Sequence, residues 1–376
     1  MWFNKVLLSF LFLCLWKDAF SISTDNQNIQ KQHSVYHFTE MTGGKITAVL
    51  KIPDSKEIKF NFLSTEKGSE EIVFSFPLVS GNKYYPLNIT AGSEHKLMID
   101  FDLRYNFCKV FIDGEWLTSV LSRQQWTFVN GISTECDKSN GEDVKFTDII
   151  ADGKLHELTK PLKVVVFGNS TTAYRRTITG VYSQRMPEYF KEKNIPVQVF
   201  NEGIGGSHTG YVADNSLHKI RHASDRFEDA VLNKEPDFVS FNFGINDSWV
   251  DGKDPEGKSR IPLEKYRENL LNMINTLRDK KISVVIMTPN AFGDTYEPWR
   301  HKRTEKYAKE VRRIAKKEKL PLIDQWKLMN KLSSEPGRNI EDFLLPDEMH
   351  TNDLWHEILA EKLSDLIIEL NDSDGP

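Results

Sequence analysis

Four short segments hold side-chain types that can do chemistry together: Gly168-Asn169-Ser170-Thr171-Thr172, Asn201-Glu202-Gly203-Ile204-Gly205-Gly206-Ser207, Gly244-Ile245-Asn246-Asp247 and Asp347-Glu348-Met349-His350. A serine hydroxyl is a poor nucleophile until a base takes its proton, and histidine is the usual base. The histidine in turn needs a carboxylate to fix its tautomer and stabilise its cation. Attack on an ester builds an oxyanion, which needs preset N–H donors. Ser170 supplies the nucleophile in this scheme, His350 the base and Asp347 its orienting carboxylate. The oxyanion donors are the backbone N–H groups of Ser170 and Gly206 and the side-chain amide of Asn246, with glycine at 206 allowing a close backbone approach.

Such a set works only if the chain brings its members to one place. From about residue 160 short apolar runs alternate with helical stretches. Lys163 to Phe167, Val197 to Phe200, Asp237 to Phe243, Ser283 to Met287 and Pro321 to Asp324 read as strands. Thr177 to Lys193, a stretch ending near Asn233, Leu263 to Arg278, Glu305 to Lys319 and Asp353 to Leu370 read as helices. That alternation predicts parallel βαβ units, a sheet covered by helices on both faces. Ligands of such sheets bind beyond the carboxyl ends of the strands. The first three segments directly follow strands one to three and the fourth precedes the last helix, so all four belong to one rim.

The four blocks together resemble the SGNH (GDSL-type) esterases and acylhydrolases. The serine block is Gly168 to Ser170, the glycine block Asn201 to Gly206, the Gly-x-Asn-Asp block Gly244 to Asp247, and the Asp-x-x-His block Asp347 to His350 followed by Asn352-Asp353. Phe167 to Ala173, Phe243 to Asp247 and Met287 to Asn290 look like a branch that contains carbohydrate acetyl esterases. Over residues 162–370 the resemblance implies a flavodoxin-like, three-layer α/β/α domain that cleaves carboxylic esters through an acyl-serine, without metal or organic cofactor. Two positions depart from the family pattern: Asn169 stands where Asp is usual, and Thr351 where proline often follows the histidine.

The front half has a different rhythm. Ile46, Ala48, Leu50 and Ile52 alternate with polar residues, as do Ile58, Phe60 and Phe62, then Leu97, Ile99 and Phe101. Cys108, Val110 and Ile112 run into Asp113-Gly114, a hairpin signal. This period of two predicts an antiparallel sandwich over 36–150, joined by a linker at 151–161. The sandwich weakly resembles galectin-type domains, chiefly over Cys108 to Gly114, but lacks their His-Asn-Arg sugar-binding string. Residues 22–35 read as a flexible start and 371–376 as a polar tail.

Val6 to Trp16 is an apolar run behind Lys5, followed by the small-x-small Ala19-Phe20-Ser21. This reads as a secretory signal peptide over residues 1–21, too short to span a bilayer as a helix. Its removal would leave Cys108 and Cys136, able either to pair or to stand as separate thiols. Asn88-Ile89-Thr90 is the leading glycosylation candidate. The sequons at Asn169 and Asn246 fall inside the blocks and are expected to stay unmodified. The chain of 376 residues carries net charge −5, so it has no overall pull toward nucleic acid, and no stable membrane anchor is expected.

His208, Tyr211 and Trp249 lie just past two of the blocks and are candidate substrate walls. His218 and His222 are four apart, a helix-face spacing more consistent with packing than with metal binding. Lys302, Arg303, Lys306, Lys309, Arg312, Arg313, Lys316 and Lys317, interleaved with Glu305, Glu310 and Glu318, read as a solvated helix face, with polyanion binding as the alternative. Three functions fit the sequence: an esterase acting on an acylated glycan, a lipid ester hydrolase, and a binding protein that keeps the fold without turnover.

Overall fold

The computed structural model describes residues 32–51, 58–67, 71–78, 93–136, 145–214 and 219–373. Residues 1–21, read above as a signal peptide, and Asn88 and His218 lie outside these residues. In the front half the strands are β1 (Gln32–Met41), β2 (Gly43–Lys51), β3 (Ile58–Ser64), β4 (Glu71–Leu78), β5 (Glu94–Asp102), β6 (Phe107–Ile112), β7 (Glu115–Leu121), β8 (Val129–Cys136) and β9 (Lys145–Lys154). They form two antiparallel sheets, ordered β1-β8-β3-β4 and β7-β6-β5-β2-β9. The alternating residues that predicted strands face one another across the sandwich. Ile46, Leu50, Phe60, Phe62, Ile99 and Val110 are all buried in one core.

The second half supplies β10 (Leu162–Gly168), α1 (Tyr182–Glu192), β11 (Val197–Gly203), α2 (Ala223–Ala230), β12 (Phe238–Asn242), the short α3 (Ile245–Ser248), α4 (Leu263–Asp279), β13 (Ser283–Met287), α5 (Pro298–Glu318), β14 (Leu322–Ile323), α6 (Gln325–Ser333) and α7 (Asp353–Ser373). The strands form one parallel sheet ordered β11-β10-β12-β13-β14, the flavodoxin-like arrangement. Helices cover both faces. Tyr266, Leu270, Tyr307 and Val311 pack against one face, and Met186, Phe190, Leu363 and Ile367 against the other. Phe167 and Phe241 are fully buried in the sheet. Each contributes roughly 2–3 kcal/mol by burial.

Several boundaries differ from the sequence reading. Strand β1 begins at Gln32, inside the segment read as flexible, and β9 runs through Lys154 into the expected linker. Helix α1 starts at Tyr182 rather than Thr177, because residues 174–181 form a loop beside the serine block. Helix α5 starts at Pro298 rather than Glu305, since proline at the first helical position needs no N–H partner. Helix α7 continues to Ser373. The possible Cys108–Cys136 pair is corrected for its first member: Cys108 is a free thiol buried in the sandwich core. Its strand β6 pairs with β5 and β7 in one sheet, whereas Cys136 ends β8 in the other.

The sandwich is seated on α1. Asn106 Nδ2 donates to the Val197 carbonyl at 3.4 Å, Gln184 Nε2 to the Ser119 carbonyl, and Lys109 pairs with Glu188 at 2.7 Å. Arg185 lies over the Trp116 ring at 4.7 Å. Tyr105, Phe107 and Leu121 of the sandwich share a core with Tyr182 and Met186. No helix among the described residues is long and apolar enough to cross a membrane.

Candidate active site

Strands β11, β10 and β12 end level with one another, Gly203 and Asn242 both pairing with Gly168. The serine, glycine and asparagine blocks therefore leave the sheet side by side, where the strand order reverses and a crevice opens.

The serine turn is built by its own small residues. A Cβ on Gly168 would stand 2.2 Å from Thr172 Oγ1 and 2.9 Å from the Asn242 carbonyl, so only glycine lets the chain turn there. Asn169 is 1% exposed, and its Oδ1 accepts from Thr171 N and Thr171 Oγ1, both at 2.9 Å. The position thus works through an acceptor oxygen, which asparagine supplies as well as aspartate does, minus the charge. Beneath the turn, Asn242 Nδ2 reaches Thr171 and Thr172 hydroxyls at 3.2 Å, and Gln325 links Asn242 to Trp355 Nε1.

The histidine loop closes from the other side. Leu345 N donates to the His350 carbonyl at 2.7 Å, and Leu344 bridges Thr351. Asp353 at the start of α7 accepts from Thr179 N and Thr179 Oγ1 and pairs with Arg185, tying this loop to the serine side. Thr351, in the usual proline position, contacts buried His356 through its hydroxyl at 3.1 Å.

These loops bring together residues 180 positions apart. Ser170 Oγ is 3.0 Å from His350 Nε2, and His350 Nδ1 is 2.7 Å from Asp347 Oδ2. Asp347 Oδ1 also accepts from the Met349 and His350 N–H groups. Although burial opposes ionisation, these donors and the adjacent His350 hold the Asp347 carboxyl well below the usual range. Burial is the largest influence on His350 and lowers it below its ordinary 6.5; Asp347 pulls it up, and the Arg175 guanidinium pushes it further down. The imidazole is therefore neutral, as a base must be, at neutral pH. Because its folded value is depressed, the stability associated with the neutral ring is present above pH 6.5 and declines as the pH falls through that lower value.

On the opposite side, Gly206 has φ +76°, a left-handed conformation suited to glycine. Among the described residues, neither its N–H nor that of Ser170 has an internal acceptor. Asn246 spends one amide hydrogen on the Ser207 carbonyl at 3.0 Å, leaving the second free, and its Oδ1 accepts from Arg260 at 3.3 Å. Asp247 fastens the two donor loops together: Oδ1 accepts from Thr209 N and Oγ1, and Oδ2 from Gly244 N. Burial pushes this carboxyl up to about 6 against those donors. In Asp247→Asn one of these donors faces an NH₂ instead of an oxygen. The expected result is a loss of about 1–3 kcal/mol of stability in denaturant titration, with a fall in kcat larger than any change in KM.

Arg175, Asp247 and Arg260 are supporting residues that the motif reading did not assign. Arg175 Nη2 donates to the Ser170 carbonyl at 2.8 Å, and burial lowers its guanidinium to about 10. A cation five residues beyond the nucleophile was visible in the sequence, but its fold-back was not.

The three wall candidates separate. His208 is corrected: it is fully buried, stacked on His222 with ring centroids 3.4 Å apart, and its Nδ1 accepts from Gly210 N. Tyr211 is 49% exposed at the end of the glycine loop. Trp249 is half-buried and packs edge-on against Tyr296, whose hydroxyl donates to the Asp347 carbonyl at 3.1 Å. Among the described residues no group of His, Cys, Asp and Glu is arranged to hold a metal ion.

A flavodoxin-like sheet with a Ser-His-Asp chain at its carboxyl edge, facing unpaired N–H donors, defines an SGNH-type hydrolase. Residues 166–358 match the GDSL-like Lipase/Acylhydrolase family model, and the chain belongs to that family. It is a carboxylic ester hydrolase. It is similar to an acetylxylan esterase of Geobacillus stearothermophilus, 25% identical over 198 residues that cover 52% of this chain and 80% of that protein. An isoamyl acetate-hydrolyzing esterase 1 homolog of Rattus norvegicus is 26% identical over 215 residues, 52% of this chain and 78% of that one. Among solved structures, an acetyl xylan esterase aligns at TM-score 0.42 and 28% identity, over 55% of this chain and all of that one.

Proposed function

We propose that the protein is a secreted serine esterase that removes acyl groups, acetyl foremost, from a carbohydrate. The observation that carries the reading is the unbroken chain from Asp347 Oδ2 through the His350 ring to Ser170 Oγ. In this reading His350 Nε2 takes the Ser170 proton as Oγ attacks the ester carbonyl, and the C=O pair moves onto oxygen. The Ser170 and Gly206 N–H groups and the free Asn246 amide hydrogen receive that charge. Collapse expels the sugar hydroxyl, protonated by His350, and leaves acetyl-Ser170. Water, deprotonated by His350, then releases acetate and restores the serine. Neither step requires a cofactor.

Two features support a glycan as the alcohol part. The rim beside the Asp347–His350 loop mixes half-buried Trp249 and Tyr296 with polar Thr295 and Glu348, unlike the apolar rim a lipid chain requires. A relative named above, that of Geobacillus stearothermophilus, is an acetylxylan esterase. The secretory leader and the division into sandwich and hydrolase domains belong to the same proposal.

The test is a substrate panel: acetylated xylooligosaccharides, 4-nitrophenyl acetate and 4-nitrophenyl palmitate. The acetyl substrates should exceed the palmitate in kcat/KM by roughly 100-fold or more. Equal or faster palmitate cleavage contradicts the glycan reading. Secretion is checked by expressing the full chain in cultured animal cells and sequencing the product in the medium, which should begin near residue 22. With burial and Arg175 both depressing His350, kcat/KM should be flat at pH 7–8 and decline only below pH 6.5. In a pH–rate series, a midpoint above 6.5 contradicts the placement of His350 beside Arg175.

A further inference from the structure

Helix α5 carries a charge distribution that packing does not explain. Its 21 residues include nine Lys and Arg against three Glu, a net of +6 in a chain whose total is −5. Advancing 100° per residue, Lys302, Lys306, Lys309, Arg313, Lys316 and Lys317 fall on one stripe. Tyr307, Val311, Ile314 and Ala315 occupy the opposite face, buried against the sheet. The stripe therefore points straight out, and all six of its members are exposed. It extends for about 22 Å at the rise of an α-helix.

Like charges four apart on a helix repel. The sequence nevertheless places Lys302 before Lys306, Lys309 before Arg313, and Arg313 before Lys317. Lys309 pairs with Glu305 at 3.0 Å and Arg313 with Glu310 at 2.7 Å. Among the described residues Lys302, Lys306, Lys316 and Lys317 have no carboxylate within ion-pair distance. Lys316 and Lys317 also suit the negative end of the helix dipole, but Lys302 and Lys306 lie beyond the first turn and far from the last, so the dipole does not account for them.

The stripe begins at the candidate site. Tyr296, two residues before α5, donates to the Asp347 carbonyl, and Trp249 packs on Tyr296. Trp299 in the first turn lies under Arg300 at 4.3 Å. Aromatic residues beside Asp347 thus lead into a straight line of six exposed cations, four of them without an ion-pair partner among the described residues.

We propose that the acylated glycan is an acidic polysaccharide, carrying carboxylate or sulfate groups, whose chain runs from the aromatic rim along the α5 stripe. The substrate part of this inference rests on the esterase reading; the binding part does not. A narrow line of charge matches a linear polyanion. An anionic membrane fits less well, because the apolar face of α5 is spent in the core and none of the exposed large hydrophobic residues lies on this helix.

The test compares the wild-type chain with K302Q/K306Q/K316Q/K317Q and with K51Q/K59Q/K193Q/K280Q, which removes four exposed charges elsewhere. Binding to heparin is measured by titration at several salt concentrations, and binding to phosphatidylserine vesicles by sedimentation. Turnover of 4-nitrophenyl acetate and of chemically O-acetylated alginate is measured in parallel. The α5 variant should bind heparin roughly tenfold or more weakly, and the loss should shrink as salt screens the wild type. It should lose a similar factor in kcat/KM on acetylated alginate while keeping wild-type turnover of 4-nitrophenyl acetate; the control variant should match wild type throughout. Equal heparin binding by the two variants overturns the proposal, as does a stripe-dependent affinity for vesicles without one for heparin. Absence of 4-nitrophenyl acetate turnover in the wild type instead counts against the esterase reading, since that ester is too small to reach the stripe.

Discussion

Ser170→Ala is expected to abolish turnover, lowering kcat for 4-nitrophenyl acetate by roughly 10⁵-fold or more with KM within a few-fold of wild type. The removed hydroxyl is the atom 3.0 Å from His350 Nε2. Alanine fills the same backbone space, so the turn held by Asn169 and Thr171 and the facing N–H donors remain. What residual rate persists comes from those donors acting on direct attack by water. Steady-state kinetics of purified variant and wild type, with matched thermal melts, check this. A variant that keeps even a few per cent of kcat contradicts the covalent mechanism.

Asp347→Asn is expected to cost roughly 10³–10⁴-fold in kcat while leaving the loop folded. Asp347 Oδ1 accepts two backbone N–H groups, from Met349 and His350, at 3.0 and 2.9 Å. Asparagine must keep its oxygen toward that pair, which turns its NH₂ onto His350 Nδ1. The ring then accepts at Nδ1 and carries its proton on Nε2, where it cannot take the proton of Ser170. Kinetics give the size of the loss, and the nitrogen chemical shifts of His350 identify the tautomer. Full activity in this variant, or an unchanged tautomer, contradicts the role given to Asp347.

The fold and central constellation were legible because each depended on a local signal. Buried parallel strands such as Val164 to Phe167 read as apolar runs, and the first three blocks sit where those runs stop, while the fourth precedes the last helix. Ser170, Gly206 and Asn246 emerge together because β11, β10 and β12 end in register, and the loop before α7 brings Asp347 and His350 to them. The supporting residues were hidden because their roles depend on long-range folding. Arg175 acts by folding back on the Ser170 carbonyl, Arg260 by reaching Asn246 from a loop 14 residues on, and Asp353 by crossing to Thr179. His208 misled because a histidine next to a functional glycine reads the same whether it lines a cleft or stacks on His222. The early start assigned to α1 ran against propensity: residues 177–181 are all β-branched or glycine, poor helix formers, and the Thr179 N–H and Gly180 carbonyl are taken by Asp353 and Arg185.

In the proposed mechanism the chain through His350 to Asp347 activates Ser170 as a nucleophile. The most direct test of that activation is to treat the native enzyme with a fluorophosphonate at pH 7.5 and map the adduct by peptide mass spectrometry. One equivalent on Ser170, blocked by prior denaturation and slowed about as strongly as turnover in Asp347→Asn, is the predicted result. An enzyme that cleaves acetyl esters yet takes up no label at Ser170, or takes it up at another residue, contradicts the account.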